Sequence, residues 1–365
     1  MKITNSYPAL GIGNHIIIAE SFFIINLNII GENMEDKNKD VVFKTVQAYI
    51  TDTPVVLAGT GISIPAGIPG MNKLSKYLQA NLKDKYADSS NWRKISDRLD
   101  EGIDLESALT GIEVKGEILT DIVKLTWELV TEYDLKFFNE KVLLRERQPL
   151  CELLTKLMST CYNNVNIITT NYDRYIEYCC DICGVKIDNR FDGLYLKTLN
   201  NDELKKKDVV NLLKVHGSLD TFHSIETKEN ICIPLQYKIP NGFIPEIVTP
   251  GSNKYQTILT TDTYVNIFTK SNEIINNAKC YLCIGYGFND SQIQQNILRN
   301  ISMGKPIVVV TKELSDAALS LINNKAQRYI VLIEAPQNKT RVIIDKQEYE
   351  IEGEYWKLEN FLEII

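Results

Sequence analysis

Short apolar runs alternate along most of the chain with longer segments in which apolar residues recur every three or four positions. The first run, Val55–Ala58, predicts a short buried strand. Later runs predict strands at Val165–Thr169, Val209–Val215, Tyr281–Ile284, Ile307–Val310 and Ile330–Ile333. Helices are predicted between most of them, at Cys151–Thr160, Asp173–Cys183, Ser291–Asn300 and Ser315–Ile322. This alternation predicts an α/β fold, a Rossmann-like parallel sheet with helices on both faces.

Residues 72–148 differ from the rest, because they contain helical stripes and no predicted strand. The stripes are formed by Leu74, Leu78 and Leu82 and by Ile118, Ile122, Leu125 and Leu129. Their spacing places apolar side chains on one face of a helix, where they more often belong to a core than to a binding surface. The pattern predicts a helical insertion after the first strand–turn–helix unit. Residues 340–365 alternate like a hairpin and end in a predicted short helix near Leu358.

Residues 1–33 are predicted to form an extension of unknown role, ahead of a main domain at 34–365. Within the extension, Ile16–Ile30 is apolar, but polar and charged residues interrupt it and no basic cluster precedes it. It therefore matches neither a secretory signal nor an uninterrupted membrane-spanning helix. A charged stretch then leads into a predicted helix from Val41 to Tyr49.

The composition is ordinary for a globular protein of 365 residues, with 44% hydrophobic and 24% charged residues. The formal net charge of −7 argues against direct nucleic-acid binding, which needs a basic footprint. The densest basic run, Lys205–Lys207, lies in a polar stretch and is interpreted as solvated surface. These properties predict a cytoplasmic enzyme with neither a membrane nor a nucleic-acid partner.

Two Cys-x-x-Cys pairs raise the question of a metal site. The pairs, Cys180 with Cys183 and Cys280 with Cys283, stand about a hundred residues apart, unlike the compact pairs of a zinc ribbon. The second pair falls in a predicted strand, where residues three apart point to opposite faces and cannot share one ion. The first pair lies on a predicted helix and is interpreted as small buried hydrophobic residues. We therefore expect structural thiols, with no zinc and no other metal.

The first predicted strand ends in a glycine-rich turn that contains Gly59, Gly61 and Gly67. The carboxyl ends of parallel strands are where open α/β sheets bind ligands. Glycines permit positive φ and close backbone approach to a phosphate, and a following helix would offer N–H groups to a pyrophosphate. The spacing is neither Gly-x-Gly-x-x-Gly nor a Walker loop. A tight turn without a ligand therefore remains open.

Short polar residues follow the second and third predicted strands. Asp173 could simply cap the next helix, whereas Asn171 stands at the ligand edge and could hold a sugar hydroxyl or a water. His216 follows an apolar run and precedes Gly217. An imidazole with an ordinary pKa of about 6.5 suits a general base, although a lone histidine is more often structural.

Together these segments resemble the NAD-binding core of sirtuins, and more closely the bacterial sirtuin-like NADases of anti-phage defence. The resemblance is carried by the loop Gly59–Pro69, by Thr169–Asp173, by Lys214–Ser218 and by Ile284–Asp290. A further stretch, Thr249–Tyr255, resembles the sirtuin-like subunit that assembles with a HerA-type ATPase. The resemblance runs from Val41 to Ile333.

The resemblance implies that NAD+ is the substrate and that the nicotinamide–ribose bond is cleaved. Asn171 would position the ribose or the attacking water, and His216 would act as the base toward a ribose hydroxyl or water. Asp173 would contact the nicotinamide carboxamide, while Gly285 and Asp290 would shape the adenosine-side rim. The residues expected to bind NAD+ are Gly59, Thr60, Gly61, Ser63, Gly67, Ile68, Pro69, Thr170, Asp173, Gly285 and Asp290.

The resemblance also implies a role and its control. The enzyme would deplete NAD+ in abortive infection, gated by homo-oligomerisation or by a HerA-type ATPase partner. A protein deacylase is disfavoured, because a deacylating sirtuin carries a zinc module with paired cysteines and follows Gly-Ile-Pro with an aromatic residue and an arginine, where this chain has Gly70–Asn72. A non-catalytic NAD or ADP-ribose sensor or scaffold subunit stays open, although Asn171 and His216 speak against it. The product could be ADP-ribose or its cyclic form.

Overall fold

A mixed sheet of nine strands forms the centre of the fold in the computed structural model, which describes residues 37–50, 52–159, 164–205, 207–250 and 262–365. Its strands are β1 (Val55–Ala58), β2 (Asn164–Thr169), β3 (Ile187–Asp188), β6 (Val209–Lys214), β10 (Tyr281–Ile284), β11 (Ile307–Val310), β12 (Tyr329–Ala335), β13 (Lys339–Ile344) and β14 (Gln347–Glu352). Their spatial order is β14-β13-β12-β11-β10-β1-β2-β6-β3. Neighbours from β3 to β12 pair in parallel, and β13 and β14 add an antiparallel hairpin. The predicted α/β fold with a parallel sheet is confirmed, and the hairpin extends that sheet.

Helices cover the sheet and fill the interval between β1 and β2. They are α1 (37–49), α2 (Met71–Leu82), α3 (Ser90–Asp100), α4 (Leu105–Leu109), α5 (Glu117–Phe137), α6 (Pro149–Met158), α7 (Tyr175–Cys183), α8 (Asp262–Asn277), α9 (Ser291–Ser302), α10 (Asp316–Lys325) and α11 (Leu358–Phe361). A π-helical turn, Phe138–Val142, continues α5. None of the helices in the described ranges is both long and apolar enough to cross a membrane.

The sheet is apolar because helices bury both of its faces. In β1, Val56 and Ala58 pack into one hydrophobic cluster, while Val55 and Leu57 pack into a second cluster on the opposite face. Side chains alternate between the faces of a strand, so an unbroken apolar run is what a strand covered on both faces requires. This is why short apolar runs located the parallel strands correctly, except for the two-residue β3, which was not predicted.

The helices between β1 and β2 build a small core of their own. Leu74, Leu78 and Leu82 of α2 pack there against Trp92 and Ile95 of α3. The side chains of Ile122 and Leu129, from the stripe on α5, belong to the same cluster. Both predicted stripes therefore lie on helices and face a core.

A second sheet was not predicted. It is antiparallel and is built from β4 (Phe191–Asp192), β5 (Lys197–Leu199), β7 (Gly217–Ser224), β8 (Asn230–Cys232) and β9 (Phe243–Ile247). Its spatial order within the described residues is β4-β5-β8-β7-β9. Helix α8 was also missed. The expectations for residues 1–33, for Gly251–Tyr255 and for Lys206 lie outside the described residues, and the division into an extension and a domain stays a prediction.

Candidate active site

Four neighbouring strands deliver their following loops to one edge of the main sheet. Ala58 of β1 is aligned with Thr169 of β2 on one side and with Ile284 of β10 on the other, and Thr169 is aligned with Lys214 of β6. The strand order reverses at β1, because the chain continues to β2 and β6 on one side and returns later to β10 on the other. Open α/β sheets bind ligands at such a reversal, beyond the carboxyl ends of the strands.

The loop after β1 meets the loop after β10 through three glycines. A Cβ atom added to Gly59 would lie 2.3 Å from the carbonyl oxygen of Gly285, and one added to Gly61 would lie 2.5 Å from the Cα of Gly285. The Gly61 amide also donates to the Gly285 carbonyl at 3.2 Å. The absence of side chains at these positions is thus needed for the close approach of two backbones. Gly67 is different, because its φ of 84° turns the chain and no atom crowds it.

Most amides of the β1 loop already have partners inside the protein. The loop forms two 3-10 turns, Thr60–Ile62 and Ile64–Ala66, and the helix expected directly after it begins only at Met71. The N–H groups that donate to backbone carbonyls are those of Gly59, Gly61, Ile62, Ser63, Ala66, Gly67 and Ile68. Phosphate binding by this loop stays a prediction.

Asn171 lies two residues beyond β2, with its side chain buried against the β1 loop. Its Nδ2 donates to the Gly59 carbonyl at 3.1 Å and to the Ser63 Oγ at 3.3 Å. The residue is only 4% exposed, and its Oδ1 has no hydrogen-bond partner within the described residues. A buried amide oxygen without a partner is costly, so this atom marks a position where a ligand donor could bind.

Asp173 has both of its carboxylate oxygens engaged. Ser63 Oγ donates to its Oδ2 at 3.0 Å, and its Oδ1 accepts the Tyr175 amide at 3.1 Å at the start of α7. The N-cap position of α7 is Arg174, which has no side-chain cap, so Asp173 lies one residue before the cap and accepts the first helical amide from there. Burial raises the pKa of the Asp173 carboxyl, and nearby Lys214 opposes that rise.

His216 lies two residues beyond β6, at the same register as Asn171 beyond β2. Its Nε2 is 2.7 Å from the Oδ2 of Asp290, and the two residues are 5% and 6% exposed. The Oδ1 of Asp290 accepts the amides of Gln292 and Ile293, which caps α9. The adenosine-side role expected for Asp290 stays a prediction. Its contact with His216 was not anticipated from the sequence.

Lys214 ties the Asn171 loop to the strand that precedes His216. Its ammonium donates to the carbonyls of Tyr172 at 3.1 Å and Asp173 at 2.5 Å, and it pairs with the Oε1 of Glu177 at 2.9 Å. The sequence contained a signal for this role, since a lysine that ends a fully buried strand must find anionic or carbonyl partners.

The carboxyl groups of Glu177 and Asp220 both lie close enough to Lys214 to respond to its charge. Burial raises the pKa of Glu177 to about 7 even though Lys214 favours the charged form. Burial alone would also raise the pKa of Asp220, but Lys214 and Arg174 outweigh it and the pKa falls below its ordinary value. The cluster therefore holds one carboxyl group that titrates near neutrality and one that stays ionised.

The remaining predicted residues frame the same edge. Thr60, Pro69 and Thr170 are half-buried, and Ile68 packs into the core. A cavity of about 20 Å³ is lined in part by Lys214 and by residues of β7. A far larger one of about 840 Å³ lies between α5 and residues 237–245, and no predicted site residue lines it.

The structure offers no obvious metal centre in the part of the chain that it describes. No group of three or more His, Cys, Asp or Glu side chains there could hold an ion. Cys180 is fully buried and Cys183 partly buried on α7, while Cys280 and Cys283 are buried at β10. These cysteines carry free thiols.

Comparison with known proteins places the chain in a family. A family model described as a SIR2-like domain matches residues 165–352, just over half of the chain. The chain belongs to the SIR2-like domain family. The matched region holds Asn171, His216 and Asp290. No curated protein sequence matches the chain.

Solved Sir2 structures resemble the fold of this SIR2-like protein at low sequence identity. A Sir2 homologue variant in complex with ADP-ribose is 12% identical, with a TM-score of 0.45, over 84% of this chain and 89% of that one. A structure reported for the mechanism and regulation of Sir2 enzymes is 13% identical, with a TM-score of 0.42, over 84% and 90%. A Sir2–p53 peptide–NAD+ complex is 13% identical, with a TM-score of 0.37, over 75% and 85%.

Proposed function

We propose that this SIR2-like protein is an NAD+ glycohydrolase that cleaves the bond between nicotinamide and ribose. The observation that carries the proposal is the buried, unpartnered Oδ1 of Asn171 at the carboxyl edge of the sheet. His216 leaves the neighbouring strand at the same register, so an acceptor amide and an imidazole emerge side by side from the type of sheet edge at which open α/β sheets bind ligands.

The reaction needs a positioned water and a base. The bond between ribose C1′ and the nicotinamide nitrogen breaks, and its electron pair leaves with nicotinamide, which becomes neutral. Water adds to the oxocarbenium-like C1′ and gives one proton to His216. The Nδ2 of Asn171 is fixed by Gly59 and Ser63, so its Oδ1 has a defined direction in which to accept a hydrogen bond from the water or from a ribose hydroxyl.

The other residues are assigned to the rest of the substrate. We propose that the Gly59–Gly67 loop lies against the pyrophosphate and that Asp173 contacts the nicotinamide carboxamide. Gly285 and Asp290 belong to the adenosine-side rim in this assignment. Thr60, Ser63, Ile68, Pro69 and Thr170 complete the proposed NAD+ contacts.

Depletion of NAD+ in anti-phage defence is the proposed role, gated by homo-oligomerisation or by a HerA-type ATPase. A host must restrain such an enzyme, and the burial of Asn171 and His216 agrees with a resting state in which substrate access is limited. The second candidate is a sensor that binds NAD+ or ADP-ribose without turning it over. Turnover separates the two candidates.

The test is NAD+ turnover by the purified protein, alone and with a candidate HerA-type ATPase, with nicotinamide and ADP-ribose separated by chromatography. Asn171→Ala should abolish nicotinamide release while the protein stays folded. Asn81→Ala is the matched control, because Asn81 lies exposed on α2 and bonds only within its helix. Full activity of Asn171→Ala would refute the assignment. NAD+ binding without nicotinamide release under either condition would favour the sensor.

A further inference from the structure

We propose that Asp290 is a positioning residue that fixes the orientation and tautomer of His216, an inference that rests on the proposed function of His216 as the base. The residue was expected only as part of the substrate rim. Its carboxylate also contacts the imidazole, at 2.7 Å from Nε2.

The Asp290 carboxylate is itself held firmly. Its Oδ1 accepts the amides of Gln292 at 3.0 Å and Ile293 at 3.2 Å, while its Oδ2 faces His216. The positive end of the α9 dipole lies at this cap and favours the ionised carboxylate. One carboxylate thus joins the start of a helix to the imidazole, and neither of its oxygens can turn away without breaking a bond.

The backbone of His216 is fixed from the opposite direction. Its carbonyl accepts the Val248 amide at 2.9 Å, just beyond β9. The next residue, Gly217, has a φ of 84°, and a Cβ atom there would lie 2.1 Å from the carbonyl oxygen of Glu246. The second sheet therefore anchors the main chain of His216, and Asp290 anchors its ring.

The contact also spans the site. In the main sheet β6 and β10 are separated by β2 and β1, which is three strand spacings or about 14 Å. The loops after β6 and β10 must bend toward each other over the ends of β1 and β2 to bring His216 to Asp290. Asn171 follows β2, so the pair closes across the edge from which Asn171 emerges.

The chemistry follows from what a carboxylate can do. An ionised carboxylate only accepts hydrogen bonds, so Nε2 must carry the hydrogen, and the lone pair of the neutral ring then lies on Nδ1. When Nδ1 takes the proton from water, the nearby negative charge stabilises the imidazolium. An asparagine at 290 would keep the shape but could present N–H to Nε2, which selects the other tautomer, as in serine proteases with the equivalent change.

The test compares Asp290→Asn with Asp290→Ala. Asparagine caps helices as well as aspartate does, so Asp290→Asn should keep its thermal midpoint, whereas Asp290→Ala should lose about 2 °C. Asp290→Asn should lower kcat for NAD+ by about 100-fold or more, with KM within about threefold of the wild-type value. Ser315→Ala is the control, because Ser315 only caps α10 by accepting the Ala318 amide. It should lower the thermal midpoint without changing kcat.

A second readout does not depend on turnover. The chain has three histidines, so a 15N-histidine spectrum is simple, and its His216 signals are assigned from His216→Ala. The hydrogen should reside on Nε2 in the wild type and on Nδ1 in Asp290→Asn. The same tautomer in both proteins would overturn the inference.

The two proposals fail in different ways. If His216→Ala keeps its turnover, the role of His216 in the proposed function is wrong. If His216→Ala is inactive but Asp290→Asn keeps the wild-type kcat, the positioning role alone is overturned and the proposed function stands. In the His216→Ala background, Asp290→Asn should cause no further loss of turnover.

Discussion

A Cβ atom on Gly285 would lie 2.3 Å from the Cα of Gly61, so the loops after β10 and β1 touch through their backbones. This contact sits beside the strand-order reversal and sets the spacing of the two loops. Gly285 also has a φ of 55°, which disfavours any L side chain.

The first prediction compares Gly285→Ala with Gly67→Ala. Both add a Cβ at positive φ, which costs roughly 1–2 kcal/mol of unfolding free energy. Only Gly285→Ala adds a backbone clash, so it should cost at least about 2 kcal/mol more, or prevent folding. Urea titrations measure both. Equal losses of unfolding free energy in the two variants would show that the backbones of Gly61 and Gly285 are not in close contact in solution.

The second prediction concerns Lys214. Replacing it with methionine keeps most of its bulk but leaves Glu177 and Asp173 without their buried cation, while Asp220 keeps only Arg174. Removing one partner of a buried ion pair costs about 3–5 kcal/mol of stability. Lys44→Met is the control, because Lys44 pairs with Asp40 on the surface and should change stability by less than about 1 kcal/mol. A loss no greater than that of the control would contradict the proposed role.

The third prediction is a pH dependence from Glu177. Its pKa is raised by burial from 4.5 to about 7 in the folded protein, so the folded state binds this proton more tightly than the unfolded chain does. The stabilisation is complete below pH 4.5 and is lost as the pH rises through about 7, by up to about 3 kcal/mol.

Glu177→Gln removes the titrating carboxyl group. Comparison of this variant with the wild type therefore isolates the contribution of Glu177 from those of the other acidic residues. The unfolding free energy of Glu177→Gln, minus that of the wild type, should therefore increase from pH 4.5 to pH 7.5. Denaturation series at matched pH measure the difference. Parallel profiles for the two proteins would show that the Glu177 pKa is ordinary.

The main sheet could be predicted because its strands are buried on both faces. Val55–Ala58 and Ile307–Val310 are unbroken apolar runs for that reason. Strand β7 escaped prediction because Ser218, Asp220 and Thr221 are polar and yet buried, so no alternation marks its inner face. Tertiary contacts, rather than local pattern, make that segment a strand.

Only part of the site could be predicted, because the local pattern marks where strands end but not how the following loops bend. Strand ends placed Asn171 and His216 at one edge, and parallel pairing put them at the same register. The contact between His216 and Asp290 joins residues 74 positions apart and depends on how two loops bend over intervening strands. Neither periodicity nor spacing encodes that bend. The partner of Asn171 Nδ2, Ser63, was expected at the substrate and not as a support for the amide.

The last prediction therefore tests Ser63. Its hydroxyl accepts a hydrogen bond from Asn171 Nδ2 and donates one to Asp173. Ser63→Ala therefore removes one hydrogen-bond partner from each of these two side chains. Under the proposed function, nicotinamide release should fall about tenfold because the amide is less well oriented. Stability should fall by about 1 kcal/mol. Ser271→Ala is the matched control, since Ser271 is fully buried but bonds only to Ile267 within α8. It should lose similar stability and no turnover. If Ser63→Ala retains wild-type turnover, the Ser63 hydroxyl does not orient Asn171 for catalysis.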